Sequence, residues 1–275
     1  MLDYCTVLLE NHQSELKSVI VKHGLSYLLN VDGKKILFDC GPDASFLYNA
    51  KLLNVDLSNV DYIVLSHSHY DHSAGYQFFL ENKYCKKLII GKDFFKPKYA
   101  LNDECFTYLG CGFDKSFVEE KNIDITYVDK CVTLSKNLYA FSSFKKRHDF
   151  EVVPSRFVKG ELNNYEQDYF EDEVVLVKEY EDSLTVIVGC AHIGILSICE
   201  EISEYFGKEV TKVLGGIHLN SNTKEYVDKV IESLISSGVK HAAFCHCSGD
   251  YVINKCISDE RLEYSEIATG NTIRI

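Results

Sequence analysis

The sequence predicts a layered α/β fold in which sheets are covered by helices, and two patterns carry that expectation. Strands in the first third follow one another through short turns, whereas strands in the last third alternate with amphipathic helices. The chain of 275 residues is long enough for a large buried core, and it contains only three prolines and no Pro- or Ser-rich linker. Residues 1–275 are therefore expected to form a single domain.

The opening strands are "YCTVLLE", "GLSYLLNV" and "KKILFDCG", and the Asp-Gly of "NVDGKK" supplies a hairpin turn between the last two. "DYIVLSH" follows, its uninterrupted Ile63-Val64-Leu65 run marking a strand covered on both faces. A short helix is expected from Tyr76 to Asn82. Between residues 86 and 150 the pattern weakens, with "KKLIIG", "IDITYV" and "LYAFSS" as strands. "EVVLVKEY" and "SLTVIVGC" then form a hairpin across "EDS". In "ILSICEEISEYFG", Ile195, Ile198, Cys199, Ile202 and Phe206 share a helical face that stops at Gly207. "VTKVLGG" is a strand. A second helix begins with Asn222 and Glu225 in capping-box spacing, aligns Val227, Val230, Ile231, Leu234 and Ile235, and stops at Gly238. "HAAFCH" closes the series as a strand.

Composition excludes several classes. Hydrophobic residues make up 46% and charged residues 25%, the balance of an ordinary globular protein. No stretch approaches about 18 uninterrupted apolar residues, and the N-terminus lacks the basic and apolar regions of a signal peptide, so a cytoplasmic protein off the membrane is expected. Eleven scattered cysteines, an odd number, read as reduced and mostly buried. A net charge of −12 disfavours nucleic acid as a partner, because the surface repels phosphate backbones. The expected partner is a small-molecule substrate.

"LSHSHYDHSAG" places His67, His69, Asp71 and His72 within six positions, directly after a strand. Imidazole and carboxylate are ligands that zinc, iron and manganese prefer, and a loop after a strand lets them point at one place. Two metals would need further donors, so other strands should also end in them. "TVIVGCAH" ends in Cys190 and His192, "KVLGGIH" in His218 and "AAFCHCSG" in His246. Strand ends are where sites form in layered α/β proteins.

At these residues the chain resembles the metallo-β-lactamase superfamily. "SHSHYDHSAG" looks like its signature, in which His67 and His69 would bind one metal, Asp71 and His72 a second, and later histidines would complete both. "ILFDCG" resembles the family's buried-aspartate motif, which makes Asp39 a residue that orients the ligand loop without touching metal. The order of "HGLSYLL", "FDCGPD", the signature, "VGCAHIGI", "VLGGIHL" and "CHCSG" is similar to that of the dihydropterin-methyl-ribofuranosylaminobenzene-phosphate synthase-like subgroup, across nearly the whole chain. The resemblance implies an αββα sandwich: two mixed sheets packed together and covered by helices. It also implies two divalent metal ions, zinc first, with manganese or iron as alternatives. In one respect the sequence departs from the family. Cys190 stands where most members have a bridging aspartate, and it could bridge as a thiolate or be a bystander while His192 ligates. His148 is the one upstream histidine for the family's usual intermediate ligand, in a poor context, and His192 is preferred for that role.

The reaction expected of a dinuclear site is hydrolysis of an ester or phosphoester, because two cations acidify a shared water. Asp71 would bind metal and orient the nucleophile, and His218 would give a proton to the leaving group. His23 and Tyr70 would line the pocket, although His23 reads equally well as a surface-turn residue. Arg147, with Lys145, would meet an anionic substrate group, or be solvated loop charge. The alternatives are a metal-dependent pterin-type synthase or transferase acting on a phosphoribosyl substrate, an iron-dependent oxidoreductase, a nuclease, and a non-catalytic metal binder. The diiron relatives carry Glu where His69 stands and a flavin domain absent here. Oligomeric state is open.

Overall fold

The computed structural model describes residues 3–81, 85–103, 105–161 and 163–275. Its first half runs β1 (Tyr4–Leu9), β2 (Ser26–Val31), β3 (Lys34–Phe38), α1 (Ser45–Leu52), β4 (Tyr62–Val64), α2 (Tyr70–Ser73), α3 (Tyr76–Glu81), β5 (Lys87–Gly91), β6 (Lys98–Asn102), β7 (Cys105–Tyr108), α4 (Lys115–Glu120) and β8 (Asp124–Val128). The second half runs β9 (Cys131–Ser135), β10 (Leu138–Phe141), β11 (Phe157–Glu161), β12 (Asn164–Gln167), β13 (Val175–Glu179), β14 (Ser183–Val188), α5 (Ile195–Phe206), β15 (Glu209–Gly215), α6 (Lys224–Ser236), β16 (His241–Phe244), α7 (Asp250–Ser258), β17 (Glu263–Tyr264) and β18 (Thr272–Arg274).

Two seven-stranded sheets result, ordered β18-β1-β2-β3-β4-β5-β8 and β17-β16-β15-β14-β13-β10-β9. In each, one half is antiparallel and the other parallel. The hairpin expected at Asp32-Gly33 joins β2 to β3, with Val31 opposite Lys34. Both turn residues have positive φ, 51° and 76°, as a two-residue hairpin of the primed type requires.

Alternation along the strands sorts side chains into three apolar layers. Tyr27, Leu29, Ile36, Phe38 and Val64 of the first sheet meet Leu176, Ile187, Leu214 and Ala243 of the second. On the outer face of the first sheet, Leu28, Leu37 and Ile63 pack under Phe46 of α1 and Tyr76 and Phe79 of α3. On the outer face of the second, Val186, Val188 and Val213 pack under Ile198 and Ile202 of α5 and Val230, Ile231 and Leu234 of α6. The architecture is the αββα sandwich. Each such side chain is worth roughly 1.5–3 kcal/mol on burial, so these layers dominate stability.

Several details differ from the sequence expectation. The cap of α6 is Thr223, whose hydroxyl accepts from the Tyr226 N–H at 3.3 Å, so the expected Asn222 cap is one residue too early. Helix α3 is as expected through Glu81, and Asn82 lies outside the described residues. A third sheet, β12-β11-β6-β7, and helices α1, α4 and α7 were not anticipated. All eleven cysteines are free and eight are buried. No helix among the described residues is long and apolar enough to cross a membrane.

Candidate metal centre

Donor residues gather at the C-terminal ends of the parallel strands. Asp39 follows β3, the His67–His72 loop follows β4, Cys190 and His192 follow β14, His218 follows β15 and His246 follows β16. Asp39, Ala191, His218 and His246 all have left-handed backbones, φ 60°, 51°, 43° and 53°. Non-glycine residues in that region store about 1–3 kcal/mol each, which the surrounding packing must over-determine.

The histidine loop is held from below. The carboxylate of Asp39, fully buried, accepts from the Ser66 N–H and hydroxyl at 2.7 Å each and pairs with His72 Nδ1 at 2.7 Å. That pairing turns His72 Nε2 toward the site. Asp172 accepts the Ser68 N–H at 2.8 Å and is itself neutralised by buried Lys98 at 2.6 Å, which also pairs with Asp168. Neither Asp172 nor Lys98 was foreseen. Both act on the loop from distant sequence.

Two donor clusters form above this floor. In the first, ligand atoms of His67, His69 and His192 lie within 4.8 Å of one another. His67 Nε2, His69 Nε2 and both His192 nitrogens are buried without a hydrogen-bond partner. Burial, reinforced by neighbouring cations, holds all three imidazoles well below their ordinary pKa, so they are neutral lone-pair donors. His192 is positioned by Glu173, which accepts the N–H groups of His192 and Ile193 at 2.9 and 3.2 Å, and by stacking on Phe170 at 3.9 Å. Burial raises the Glu173 carboxyl to about 7.

The second cluster centres on His72 and His246, whose Nε2 atoms are 3.1 Å apart. Cys190 Sγ is 3.2 Å from His72 Nε2, and Asp71 Oδ2 is 3.3 Å from His246 Nε2 and 3.0 Å from His23 Nε2. His246 is anchored through Nδ1 to Asn11 at 2.9 Å and through its N–H to Glu10 at 2.8 Å. Burial tends to raise the Asp71 carboxyl, but His72, His23 and His246 outweigh it and hold Asp71 well below the usual carboxylate range. The unpartnered imidazole nitrogens of the first cluster, and the imidazoles, carboxylate and thiol of the second, are donors that borderline divalent metals take, so the residues fit the cofactor expected from the sequence.

Both clusters open on one cavity of about 190 Å³, whose lining includes Tyr70, Arg156, Phe157, His218 and Asn220 as well as His23, His69, Asp71, Cys190, His192 and His246. Arg147 is not part of it. Its guanidinium pairs with Glu201 and Glu204 at 2.6 Å, which corrects the expectation that it meets substrate: α5 presents two carboxylates that neutralise it. Lys145 is also absent from the lining. His148 pairs with Glu200 at 3.3 Å, away from the donors, whereas His192 stands among them. The cation at the cavity is Arg156, over the Phe157 ring at 4.7 Å, both near the start of the unanticipated third sheet. Nothing local in "VPSRFV" announces it. Glu10, by contrast, ends an apolar strand as the metal donors do, and that signal was there to be read.

Comparisons with known proteins bear on the fold and the family. Residues 19–133 match the family model for the metallo-beta-lactamase superfamily. The chain is 29% identical over 267 residues to the 7,8-dihydropterin-6-methyl-4-(beta-D-ribofuranosyl)-aminobenzene-5'-phosphate synthase of Methanocaldococcus jannaschii, covering 92% of this chain and 90% of that one. An uncharacterised protein of the same organism is 28% identical over 256 residues, with 91% and 93% covered. Among solved structures, a metal-dependent hydrolase of the beta-lactamase superfamily superposes with a TM-score of 0.83 at 26% identity, over 99% of each chain. A diphosphatase of the PhnP family shares the fold at 13% identity and a TM-score of 0.56, over 100% of this chain and 98% of that one.

Proposed function

We propose that the chain, which matches the metallo-beta-lactamase superfamily model over residues 19–133 and shares the fold of a member of that superfamily, is a metal-dependent hydrolase of an ester or phosphoester bond in a small anionic metabolite. One observation carries the reading: two clusters of metal-capable side chains, His67/His69/His192 and Asp71/His72/His246 with Cys190, share a single cavity. Two divalent ions bound there, zinc first and manganese or iron as alternatives, would acidify water and polarise the scissile group. The relative named as a metal-dependent hydrolase, 26% identical, supports the same chemistry.

The chain's own residues divide the remaining work. Asp71 accepts a hydrogen bond from a nucleophile entering between the clusters, and its contact with His23 fixes the carboxylate. His218 packs against His192 with ring centroids 4.2 Å apart. Burial, aided by Arg156, lowers its pKa to about 4, so at neutral pH it is an uncharged imidazole. It therefore serves the leaving oxygen as a hydrogen-bond donor, not as the imidazolium acid expected from the sequence. Arg156, with no ion-pair partner among the described residues, receives the anionic group. Phe157 and Phe170 back the site and keep water from its rear.

A second reading, a pterin-type synthase acting on a phosphoribosyl substrate, is favoured by the 29% identical relative that bears that name. One assay separates the two. Protein reconstituted with zinc, manganese or iron(II) is offered nitrophenyl phosphate mono- and diesters; metal-dependent nitrophenol release supports hydrolysis. Tight binding of a phosphoribosyl compound with no ester cleaved under any metal favours the synthase.

A further inference from the structure

Cys247 directly follows the ligand His246 in "CHCSG" but has no role in the proposed function, and its sulfur is 3.2 Å from that of Cys190. A disulfide would need about 2.05 Å, so these are two separate thiols. Both are buried, at 2% and 3% exposure, and both lie within 4.8 Å of a His246 nitrogen. Cys190 in turn reaches His72 Nε2 at 3.2 Å. A pair of sulfurs thus faces the same point as the imidazoles of the second cluster.

Two features of the surroundings are arranged for the Cys247 sulfur. The N–H of His218 donates to it from 3.2 Å and so orients the sulfur. Gly216 gives it room: a Cβ at that position would come within 2.7 Å of Cys247 Sγ and 2.4 Å of the Gly189 carbonyl. The strand end is thinned to bare backbone where the sulfur sits.

We infer that Cys190 and Cys247 together ligate the cation at the His72/His246 cluster, making it a thiolate-rich site selective for zinc, cobalt(II) or cadmium over magnesium and manganese. This rests on the metal-dependent reading and adds a ligand to it. Each sulfur–metal bond replaces an S–H bond, whose proton passes to solvent. Thiolates are soft donors, and the harder oxygen-seeking cations gain little from them. The other cluster, built of three imidazoles, lacks this bias.

Cobalt(II) provides the test, because thiolate ligation gives it an ultraviolet charge-transfer band that imidazole and carboxylate do not. Full-length protein freed of metal with a chelator is titrated with cobalt(II), alongside Cys247→Ser and Cys190→Ser. The band per bound cobalt should fall by about half in each single variant and vanish in the double, two equal thiolates being involved. A band unchanged in Cys247→Ser overturns the inference while leaving the metal reading intact. Failure of the unmutated protein to retain any cobalt overturns the metal reading, and the inference with it. Zinc X-ray absorption on unmutated protein guards against misfolded variants. A sulfur shell at about 2.3 Å averaging one sulfur per zinc over two sites supports the pair, and half a sulfur or none refutes it.

Discussion

Asp39 holds three groups in register, the Ser66 N–H, the Ser66 hydroxyl and His72 Nδ1, from a fully buried carboxylate. Replacing it by Asn removes the charge that favours His72 as a ligand and leaves an amide donor facing donors. Asp39→Asn should therefore weaken metal binding by roughly 10–100-fold, the usual effect of a partner one layer behind the ligands, read by competition with a chromophoric chelator. His69→Ala should lose one bound ion and all turnover, by elemental analysis and ester assay; full metal occupancy with retained activity would remove His69 from the ligand set. The two arginines make a paired test. Arg156→Ala should raise KM for phosphorylated substrates by about tenfold, a charge-assisted contact being worth about 1.5–3 kcal/mol, with metal content unchanged. Arg147→Ala should leave KM where it was, because Glu201 and Glu204 already neutralise that guanidinium.

At the scale of the element, the readable features were those written in short-range periodicity. The α5 face of Ile195, Ile198, Cys199 and Ile202 is buried as its spacing requires, and the hairpin at Asp32-Gly33 has the turn its dipeptide demands. Elements that escaped notice had weaker marks. Strand β12 is almost entirely exposed, and β7 nearly so, so alternation had little core to report. Helix α1 presents polar Asn49 inward, where its amide donates to the Leu8 and Ile20 carbonyls. The α6 cap shows how fine such readings are. Asn222 and Thr223 are both good cap residues, and only the backbone path selects Thr223, φ −68° and ψ 156°. Thr223→Ala should cost about 1 kcal/mol of stability in urea denaturation, while Asn222→Ala should cost much less.

Across the whole molecule, the site joins the two sheets. His67, His69, Asp71 and His72 come from the first, and Cys190, His192 and His246 from the second. Cations held by both halves would stabilise the sandwich by mass action, about 4 kcal/mol at a thousandfold excess over Kd. Chelation should therefore lower Tm in proportion to occupancy, which calorimetry with and without added zinc would measure. The N-terminal loop is tied to α7 by a charge that titrates. His12 is raised to about 9, chiefly by its hydrogen bond to Glu10, with Asp250 nearby. Because the folded pKa exceeds the ordinary 6.5, this contribution is complete below about 6.5 and is lost as pH rises through 9. His12→Gln should flatten the stability profile over that window, an effect tempered by the partial exposure of the pair.

The sequence by itself determined the layered fold and the donor side chains at its strand ends, because periodicity and residue type are local properties. It named His67, His69, Asp71, His72, His192 and His246, which the fold gathers into two adjoining clusters, with His69, Asp71, His192 and His246 lining one cavity. Only tertiary structure decided which arginine faces that cavity, which carboxylates hold the loop from beneath, and that Cys247 stands beside Cys190. Arg147 and Arg156 are nine positions apart and chemically identical. What separates them is the neighbour each meets after folding, α5 carboxylates for one and open cavity for the other. Such contacts join residues dozens to hundreds of positions apart, and no pattern of nearby side chains encodes them.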